Sequence, residues 1–288
     1  MPPITQSEMN QWTEDYQESM TAPQDWNRLK GLMSKRVTVH MPAEPTMKKF
    51  EDWQKKCQDF WKNFKNMKRN IPKGVNVGVM PGKKDEVDCV IPELVNFTYT
   101  KELQEMYPNV NLASGEKTKM FVYTKLTLNS KKECLEMKPI FTPTAFLNDT
   151  RQFDDDGFVD KLYQDWQEEK LAEEVKCSFP GVPKQDKAAL LALMAKFKDC
   201  SRELVKGCPT VTMPSGKDDT SEAMAHVSYK FNWDASLNEM FKTDLAEGAA
   251  VEIKSYDTIK IKAGKVVEFH MLFNPATNIK PAGKSGGN

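Results

Sequence analysis

The feature of this sequence that most constrains its fold is an order of elements that occurs twice along its 288 residues. The short segment "RVTVHMP" has a counterpart in "EVKCSFP", so that Val37 and Val39 match Val175 and Cys177 at one constant separation along the chain. In each half a helical pattern follows, and then alternating apolar and polar residues typical of antiparallel strands. This order predicts two similar units.

The closing hairpins of the two halves also agree. In one strand the matching apolar positions keep a constant separation: Tyr123, Leu126 and Leu128 fall on Tyr256, Ile259 and Ile261. In the final strand a separation shorter by a single position fits better: Leu135, Met137 and Phe141 fall on Val267, Phe269 and Phe273. Because a slip of one residue would turn every side chain to the other face, this agreement favours an internal duplication.

The remaining elements follow from periodicity. Apolar residues at helical spacing predict a first helix capped by Ser7, with one face formed by Met9, Trp12, Tyr16 and Met20. Further helices are predicted from Trp26 to Met33, from Phe50 to Phe64, within "DDDGFVDKLYQDW" and from Leu190 to Leu204. Strands are predicted over 87–100, 117–129, 131–141, 222–233, 249–262 and 264–273.

Composition narrows the class of protein. Lys plus Arg and Asp plus Glu both number 41, so no global charge favours a nucleic-acid partner. We find no apolar run long enough for a membrane span and no secretory signal, so we expect a cytoplasmic protein. None of the six cysteines forms a CxxC pair, and we expect reduced thiols in the core.

The order helix, short strand near a proline, long helix, then antiparallel strands closing on "GKVVEFHMLF" resembles the nuclear transport factor 2-like superfamily, and its SnoaL-like branch in particular. The resemblance implies an α+β fold of two tandem cone-shaped units, each with helices packed on a strongly curved, mostly antiparallel sheet. The expected boundaries are 1–145 for the first unit, 146–157 for a linker, 158–274 for the second unit and 275–288 for a flexible tail.

The resemblance leaves function open, since that superfamily contains both enzymes and non-catalytic modules. The favoured interpretation is a non-catalytic binding or scaffolding protein, a pseudo-dimer of such units with a small apolar organic ligand or a protein partner on an exposed sheet face. The alternative is a SnoaL-like isomerase, cyclase or dehydratase that transfers protons with a histidine and a carboxylate. A third interpretation is a structural subunit with filled pockets. The iota-type carbonic anhydrases of this superfamily carry a histidine–serine motif that "VVEFHMLFN" lacks.

His270 and Glu268 are the first candidates for chemistry. Period two places His270 on one strand face with Val266, Glu268 and Leu272, opposite the apolar residues Val267, Phe269, Met271 and Phe273. If the apolar face packs on the helices, His270 lies on the outside of the sheet. If the curvature turns the other face inward, His270 and Glu268 form an acid–base pair.

The other candidates come from neighbouring strands. His226 would be a base or a polar pocket group, with Asp257 orienting it and Tyr256 polarising a ligand carbonyl. Tyr123 and His40 are further ligand-binding candidates, although matched tyrosines more often fill half-buried strand positions. The spacing in "DDDGF" does not fit a calcium loop, and the patterns indicate no metal ligands, cofactor or phosphate-binding loop.

Overall fold

The structure is a computed structural model that describes residues 4–41, 45–73, 75–83, 85–106, 112–141, 158–180, 182–214 and 220–281. The chain divides into two compact units: Met1–Phe153 with Val211–Gly216, and Asp154–Thr210 with Lys217–Asn288. The predicted linker, 146–157, lies outside the described residues. The fold class is confirmed as α+β, with two sheets of which one is strongly curled.

The first unit surrounds one mixed sheet. Its helices are α1 (Gln6–Met20), α2 (Trp26–Leu32), α3 (Phe50–Trp61) and α4 (Lys101–Met106). Its strands are β1 (Met33–Val39), β2 (Lys65–Asn70), β3 (Gly78–Pro81), β4 (Val87–Thr98), β5 (Lys117–Leu128) and β6 (Cys134–Phe141). The order is β1-β6-β5-β4-β2, with β3 also on β4; only β1 and β6 run parallel among these described strands.

The second unit has the same plan. Its helices are α5 (Phe158–Gln164), α6 (Lys187–Ala195), α7 (Leu237–Phe241) and α8 (Pro275–Asn278). In chain order its strands are β7 (Leu171–Phe179), β8 (Val182–Gln185), β9 (Lys198–Leu204), β11 (Thr220–Asn232), β12 (Ala250–Lys262), β13 (Lys265–Leu272) and β14 (Ile279–Pro281), while β10 (Val211–Pro214) belongs to the first unit. The path is β9-β11-β12-β13-β7-β8, β14 joins β12, and β7 and β13 run parallel.

The first helix shows how local sequence fixes an element. Thr5, rather than the predicted Ser7, caps α1, because its hydroxyl accepts from the Glu8 amide while the Glu8 carboxylate accepts from the Thr5 amide. The predicted apolar face is buried, from Met9 to Met20. Burying such a face against the sheet supplies most of the stability of a helix.

Two predicted helices end earlier than expected, and a strand follows each. Helix α3 ends at Trp61 and α6 at Ala195, so Phe64 and Leu204 are not helical. The strands β2 and β9 begin instead, and each carries a residue with positive φ near its start, Asn66 at 55° and Asp199 at 54°. Apolar spacing continues past the true helix ends, because a residue beyond a helix can also point into the core.

A β-bulge corrects the predicted face of the last strand. Lys260 pairs with Glu268, but the next residue of β12, Ile261, pairs with Val266, so Val267 is the extra residue. Val266 is therefore buried in the core with Phe269 and Met271, and the prediction that it shares the His270 face is wrong. A similar bulge occurs in β6, where Leu135 is the extra residue without a partner in the pairing with β5.

The first residues of the expected flexible tail form secondary structure. Residues Pro275–Asn278 form α8, which Asn274 caps, and Ile279–Pro281 pair with Val251–Ile253 of β12. Residues 282–288 lie outside the described part of the chain. All six cysteines are free, and five of them are buried. In the described ranges we find no helix with the length and apolar character that crossing a membrane would require.

Candidate functional site

Among the described residues, each unit holds one fully buried carboxylate on the core face of its sheet, the face that packs against the helices. Glu93 stands on β4 in line with Ile91 and Val95, and Asp257 stands on β12 in line with Ile259; these apolar neighbours are fully buried. Both carboxylate side chains are completely inaccessible to solvent. A buried carboxylate needs hydrogen bonds or a counter-charge, so each one organises the polar groups around it.

In the second unit, three hydroxyl groups hold Asp257. Tyr163 of α5 donates to Oδ2 at 2.7 Å, Tyr229 of β11 donates to the same oxygen, and Ser255 donates to Oδ1 at 2.6 Å. Burial raises the pKa of Asp257 to about 6, although these three hydrogen bonds and the positive charge of Arg202 lower it. Burial likewise raises the pKa values of Tyr163 and Tyr229 well above their usual range, so both phenols keep their protons.

Arg202 lies beside this group on β9, where it pairs in register with Tyr229. Its guanidinium carbon lies 5.4 Å from the ring centre of Trp166, a cation–π distance. The Nε of Arg202 and the Nε1 of Trp166 are both buried, and neither has a hydrogen-bond partner among the described residues. We call Asp257, Tyr163, Tyr229, Arg202 and Trp166 the second-unit polar cluster.

In the first unit, an ion pair stabilises the buried carboxylate. Arg69 Nη1 lies 3.2 Å from Glu93 Oε2, and both side chains are almost completely buried. Thr124 donates to Glu93 at 2.7 Å, and the Arg69 guanidinium stacks 5.1 Å from the Trp61 ring centre and 5.9 Å from that of Tyr16. We call these five residues the first-unit polar cluster.

The two polar clusters occupy matching positions in the two pairing schemes. Arg69 and Arg202 lie at the same position of their strands, counted from the residue with positive φ. The same number of residues separates Thr124 from Asp257 as separates Arg69 from Arg202, so Thr124 corresponds to Asp257. Ile91 pairs with Thr124 and Ala225 pairs with Asp257, so Glu93 corresponds to Val227. In the second unit the carboxylate therefore stands on the neighbouring strand, where it forms no ion pair with the arginine.

The predicted combination of His226, Tyr256 and Asp257 does not form. His226 pairs directly with Tyr256, and their rings stack at 4.1 Å, but Asp257 is paired with Ala225 and points to the opposite face of the sheet. Burial, with a smaller contribution from Lys254, lowers the pKa of His226 to about 3. His226 is a neutral, buried ring on the face away from the core, and Asp257 does not orient it.

His270 and Glu268 do meet, but on that same outer face. His270 Nε2 lies 3.5 Å from Glu268 Oε2, and the other ring nitrogen is 2.7 Å from Ser178 Oγ on β7. The Glu268 side chain is 38% exposed. Burial raises the pKa of Glu268, but Lys260 and His270 outweigh that effect and leave it below the usual value. The pair is thus a partly solvated surface contact and lies outside the core interior.

The remaining ligand-binding candidates also lie away from the core face. His40 follows β1 and forms a contact with Glu136 at 3.2 Å and with Thr46 at 3.1 Å, all three partly solvent-accessible. Tyr123 is fully buried, but it alternates with Val122 and Thr124, which face the core. The outer-face tyrosines Tyr123 and Tyr256 are buried, so they do not belong to an exposed apolar sheet face.

Sequence reasoning named Asp257, but as a partner of a histidine, and missed the other members of both polar clusters, although the signal was present. In "VDCVIPELVNF" every second residue from Val87 to Phe97 is apolar except Glu93. In "VEIKSYDTIKI" the residues that alternate from Val251 to Ile261 are apolar except Ser255 and Asp257. A carboxylate on an otherwise apolar strand face predicts a buried polar group, and the partners on other elements then remain to be found.

In the second-unit polar cluster, two buried donors lack an acceptor among the described residues. Its donors are the guanidinium of Arg202 and the indole N–H of Trp166, while the carboxylate of Asp257 is already bonded to hydroxyls. In the described residues, no group of three His, Cys, Asp or Glu side chains is arranged to hold a metal ion.

No protein-family model matches the sequence, and no curated protein matches it. A solved structure of a protein assigned as a SnoaL-like polyketide cyclase from Jannaschia is 14% identical, covers 51% of this chain and 92% of its own, and has a TM-score of 0.38. A nuclear transport factor 2-like protein of unknown function from Exiguobacterium is 12% identical, with coverage of 46% and 96% and a TM-score of 0.32.

A hexachlorocyclohexane dehydrochlorinase is 9% identical, with coverage of 47% and 83% and a TM-score of 0.37. Identities this low describe the fold alone and transfer no activity. The chain is similar in fold to SnoaL-like and nuclear transport factor 2-like proteins, with each similarity extending over about half of its length.

Proposed function

We propose that this protein binds a small organic molecule within its second unit and does not convert it. The observation that carries the proposal is the contrast between the two polar clusters. Both arginines keep a buried Nε without a partner in the described residues, but Arg69 has its counter-charge in Glu93, whereas the described residues give Arg202 none and Trp166 adds a second unpartnered donor. Unpartnered buried donors are rare in folded proteins and favour an external acceptor.

The positions of the histidines support the non-catalytic part of the proposal. Proton transfer requires a base within hydrogen-bond reach of an enclosed substrate. His226 is stacked under Tyr256 on the outer face, and His270 shares a partly exposed contact with Ser178 and Glu268. No described histidine lies among the core residues of either unit.

The interior carboxylates support it as well. A carboxylate base needs a free lone pair directed at the substrate, but Asp257 accepts from three hydroxyls and Glu93 is paired with Arg69 and Thr124. Their hydrogen bonds stabilise the fold around them. Groups held in this way fit a wall of a binding site better than a reacting group.

We further propose that the chain consists of two tandem nuclear transport factor 2-like units, near residues 1–145 and 158–274, that arose by duplication. The support lies in details within each unit: the parallel pairs β1–β6 and β7–β13, the positive-φ residues Asn66 and Asp199, and the bulges that skip Leu135 and Val267. A scaffolding role for these units, with a protein as partner, stays a prediction.

Native mass spectrometry of gently purified protein tests the binding proposal. We expect a species heavier than the 32.9 kDa chain by the mass of one small molecule, and loss of that mass under denaturing conditions. The released compound, incubated with fresh protein, should be recovered unchanged. A chain that is bare under native conditions contradicts binding, and conversion of the released compound contradicts the non-catalytic assignment.

A second candidate function rests on the raised pKa of Asp257. An interior carboxylic acid that titrates near neutrality, beside two tyrosines, has a property often found in proton-transfer sites. The alternative is then a SnoaL-like isomerase, cyclase or dehydratase in which Asp257, rather than a histidine, is the acid or base. Conversion of the released compound by wild-type protein, and its abolition in Asp257→Asn, would favour this alternative.

A further inference from the structure

We propose that Arg202 and Trp166 bind the carboxylate group of a small organic acid in the second unit. This inference rests on the proposed function and deepens it, because it names the chemical class of the ligand. It follows from the charge of Arg202, from the unpartnered donors and from the apolar side chains around them.

The charge of Arg202 is not paired within the described part of the chain. Both arginines keep a buried Nε without a partner in the described residues, but Arg69 lies 3.2 Å from the Glu93 carboxylate, whereas the described residues supply Arg202 with no ion pair. Val227 occupies the position that corresponds to Glu93, and Val227 is buried in the core. The presence of valine where the first unit has an acid therefore leaves the second arginine without the acid that its counterpart has.

Asp257 does not take that position. Its two oxygens accept from Tyr163, Tyr229 and Ser255, and Arg202 acts on it only at longer range, by lowering its pKa. Cys200, the other β9 residue nearest this group, is a thiol whose pKa burial raises, so it stays neutral. The interior near Arg202 thus holds a cation and groups that are neutral or already bonded.

The donors are of two kinds that suit one planar acceptor. Arg202 offers N–H groups in a rigid fork that matches the two oxygens of a carboxylate, and Trp166 offers a single indole N–H nearby. A planar carboxylate matches the fork of one guanidinium better than a tetrahedral phosphate does.

The neighbouring side chains indicate an apolar body for the ligand. Trp166 contacts Phe269 edge to face, with ring centres 5.4 Å apart, and Tyr229 contacts Phe197 at 6.0 Å. Leu204 packs against the same core. An aromatic or short aliphatic acid would bury its hydrocarbon part against such residues while its carboxylate meets the donors.

Titration calorimetry with sodium benzoate and sodium hexanoate tests the inference, with benzamide as the uncharged counterpart of benzoate. We expect saturable binding of at least one acid, weaker binding of benzamide, and a loss of about tenfold or more in affinity for Arg202→Gln, since a hydrogen-bonded charge pair is removed. Trp166→Phe, which keeps a ring and removes the N–H, should lose a smaller factor. Arg36→Gln, at an exposed arginine, is the matched control and should bind as wild type.

If Arg202→Gln does not fold, a nuclear magnetic resonance titration of the wild-type protein tests the inference instead. In the wild-type protein, benzoate or hexanoate should shift the indole N–H signal of Trp166, identified by its loss in Trp166→Phe. Absence of binding by both acids, or equal affinity in a folded Arg202→Gln variant, would overturn the inference. A neutral compound retained in native mass spectra, with Arg202→Gln retaining it equally, would overturn the carboxylate assignment and leave the proposed function standing.

Discussion

Replacement of Asp257 by asparagine should change how the stability of the protein depends on pH. Burial raises the pKa of Asp257 to about 6, from the usual 3.8, against the opposing effect of three hydrogen bonds. An acid whose pKa is higher in the folded than in the unfolded chain binds its proton more tightly when folded. Its favourable contribution is complete below the unfolded pKa and is lost as the pH rises toward and through 6.

The size of the effect follows from the two pKa values. A difference of about two pKa units corresponds to roughly 3 kcal/mol between fully protonated and fully ionised Asp257, at 1.36 kcal/mol per unit. About a third of this loss has already occurred at pH 4.5, so roughly 2 kcal/mol remains to be lost between about pH 4.5 and pH 7.5. Asparagine does not ionise, so the variant lacks this contribution.

Guanidinium unfolding of both proteins at these two pH values measures the effect. The unfolding free energy of wild type, taken relative to Asp257→Asn, should fall by roughly 2 kcal/mol on going to the higher pH. The exposed Asp244→Asn variant is the control and should show a difference of only a few tenths of a kcal/mol. An equal difference at both pH values would refute the reasoning, since the pKa of Asp257 would then be the same in the folded and unfolded chains. A wild type relatively more stable at high pH would also refute it, since folding would then lower that pKa.

Three further predictions follow from the same structure. Glu93→Ala should lower the unfolding free energy by about 3–5 kcal/mol, because it leaves the Arg69 charge buried without a partner. The double replacement Arg69→Met with Glu93→Leu should recover much of that loss. If the single variant is not destabilised, the buried ion pair is contradicted. In a nuclear magnetic resonance titration, the ring signals of His226 should keep the chemical shifts of the neutral form down to about pH 4. The reason is that burial lowers the pKa of His226 to about 3. Titration of the ring near neutrality would instead indicate a solvated histidine. In thermal or chemical unfolding, Val266→Asp should destabilise the protein strongly and Val267→Asp much less, because the bulge places Val266 in the core. Similar losses of stability in the two variants would mean that β13 has no bulge.

The strand pattern predicted the fold of both units well, because alternation in a half-buried strand reports directly which face meets the core. The matched separations in the closing hairpins correspond to matched pairings and matched bulges in the structure. The ends of α3 and α6 were predicted too late, since Phe64 and Leu204 point into the core from other backbone conformations. Periodicity alone cannot distinguish these cases.

The candidate site was predicted less well, for two physical reasons. Histidines drew attention as the usual acid–base residues, yet His226 and His270 lie on the outer face, and a carboxylate on the core face was the stronger signal. The partners of that carboxylate could not be predicted, because Tyr163 of α5 meets Asp257 across 94 residues of chain. Such contacts depend on how helix and sheet pack, and no local pattern encodes them.

The most direct test of a binding site at Arg202 is a crystal structure of the gently purified protein. We expect electron density for a planar acceptor group within hydrogen-bond distance of Arg202 Nε and Trp166 Nε1, with Asp257 still held by Tyr163, Tyr229 and Ser255. A guanidinium of Arg202 paired directly with the Asp257 carboxylate, and no density between the two donors, would contradict the account, because the second unit would then satisfy its own charges as the first unit does.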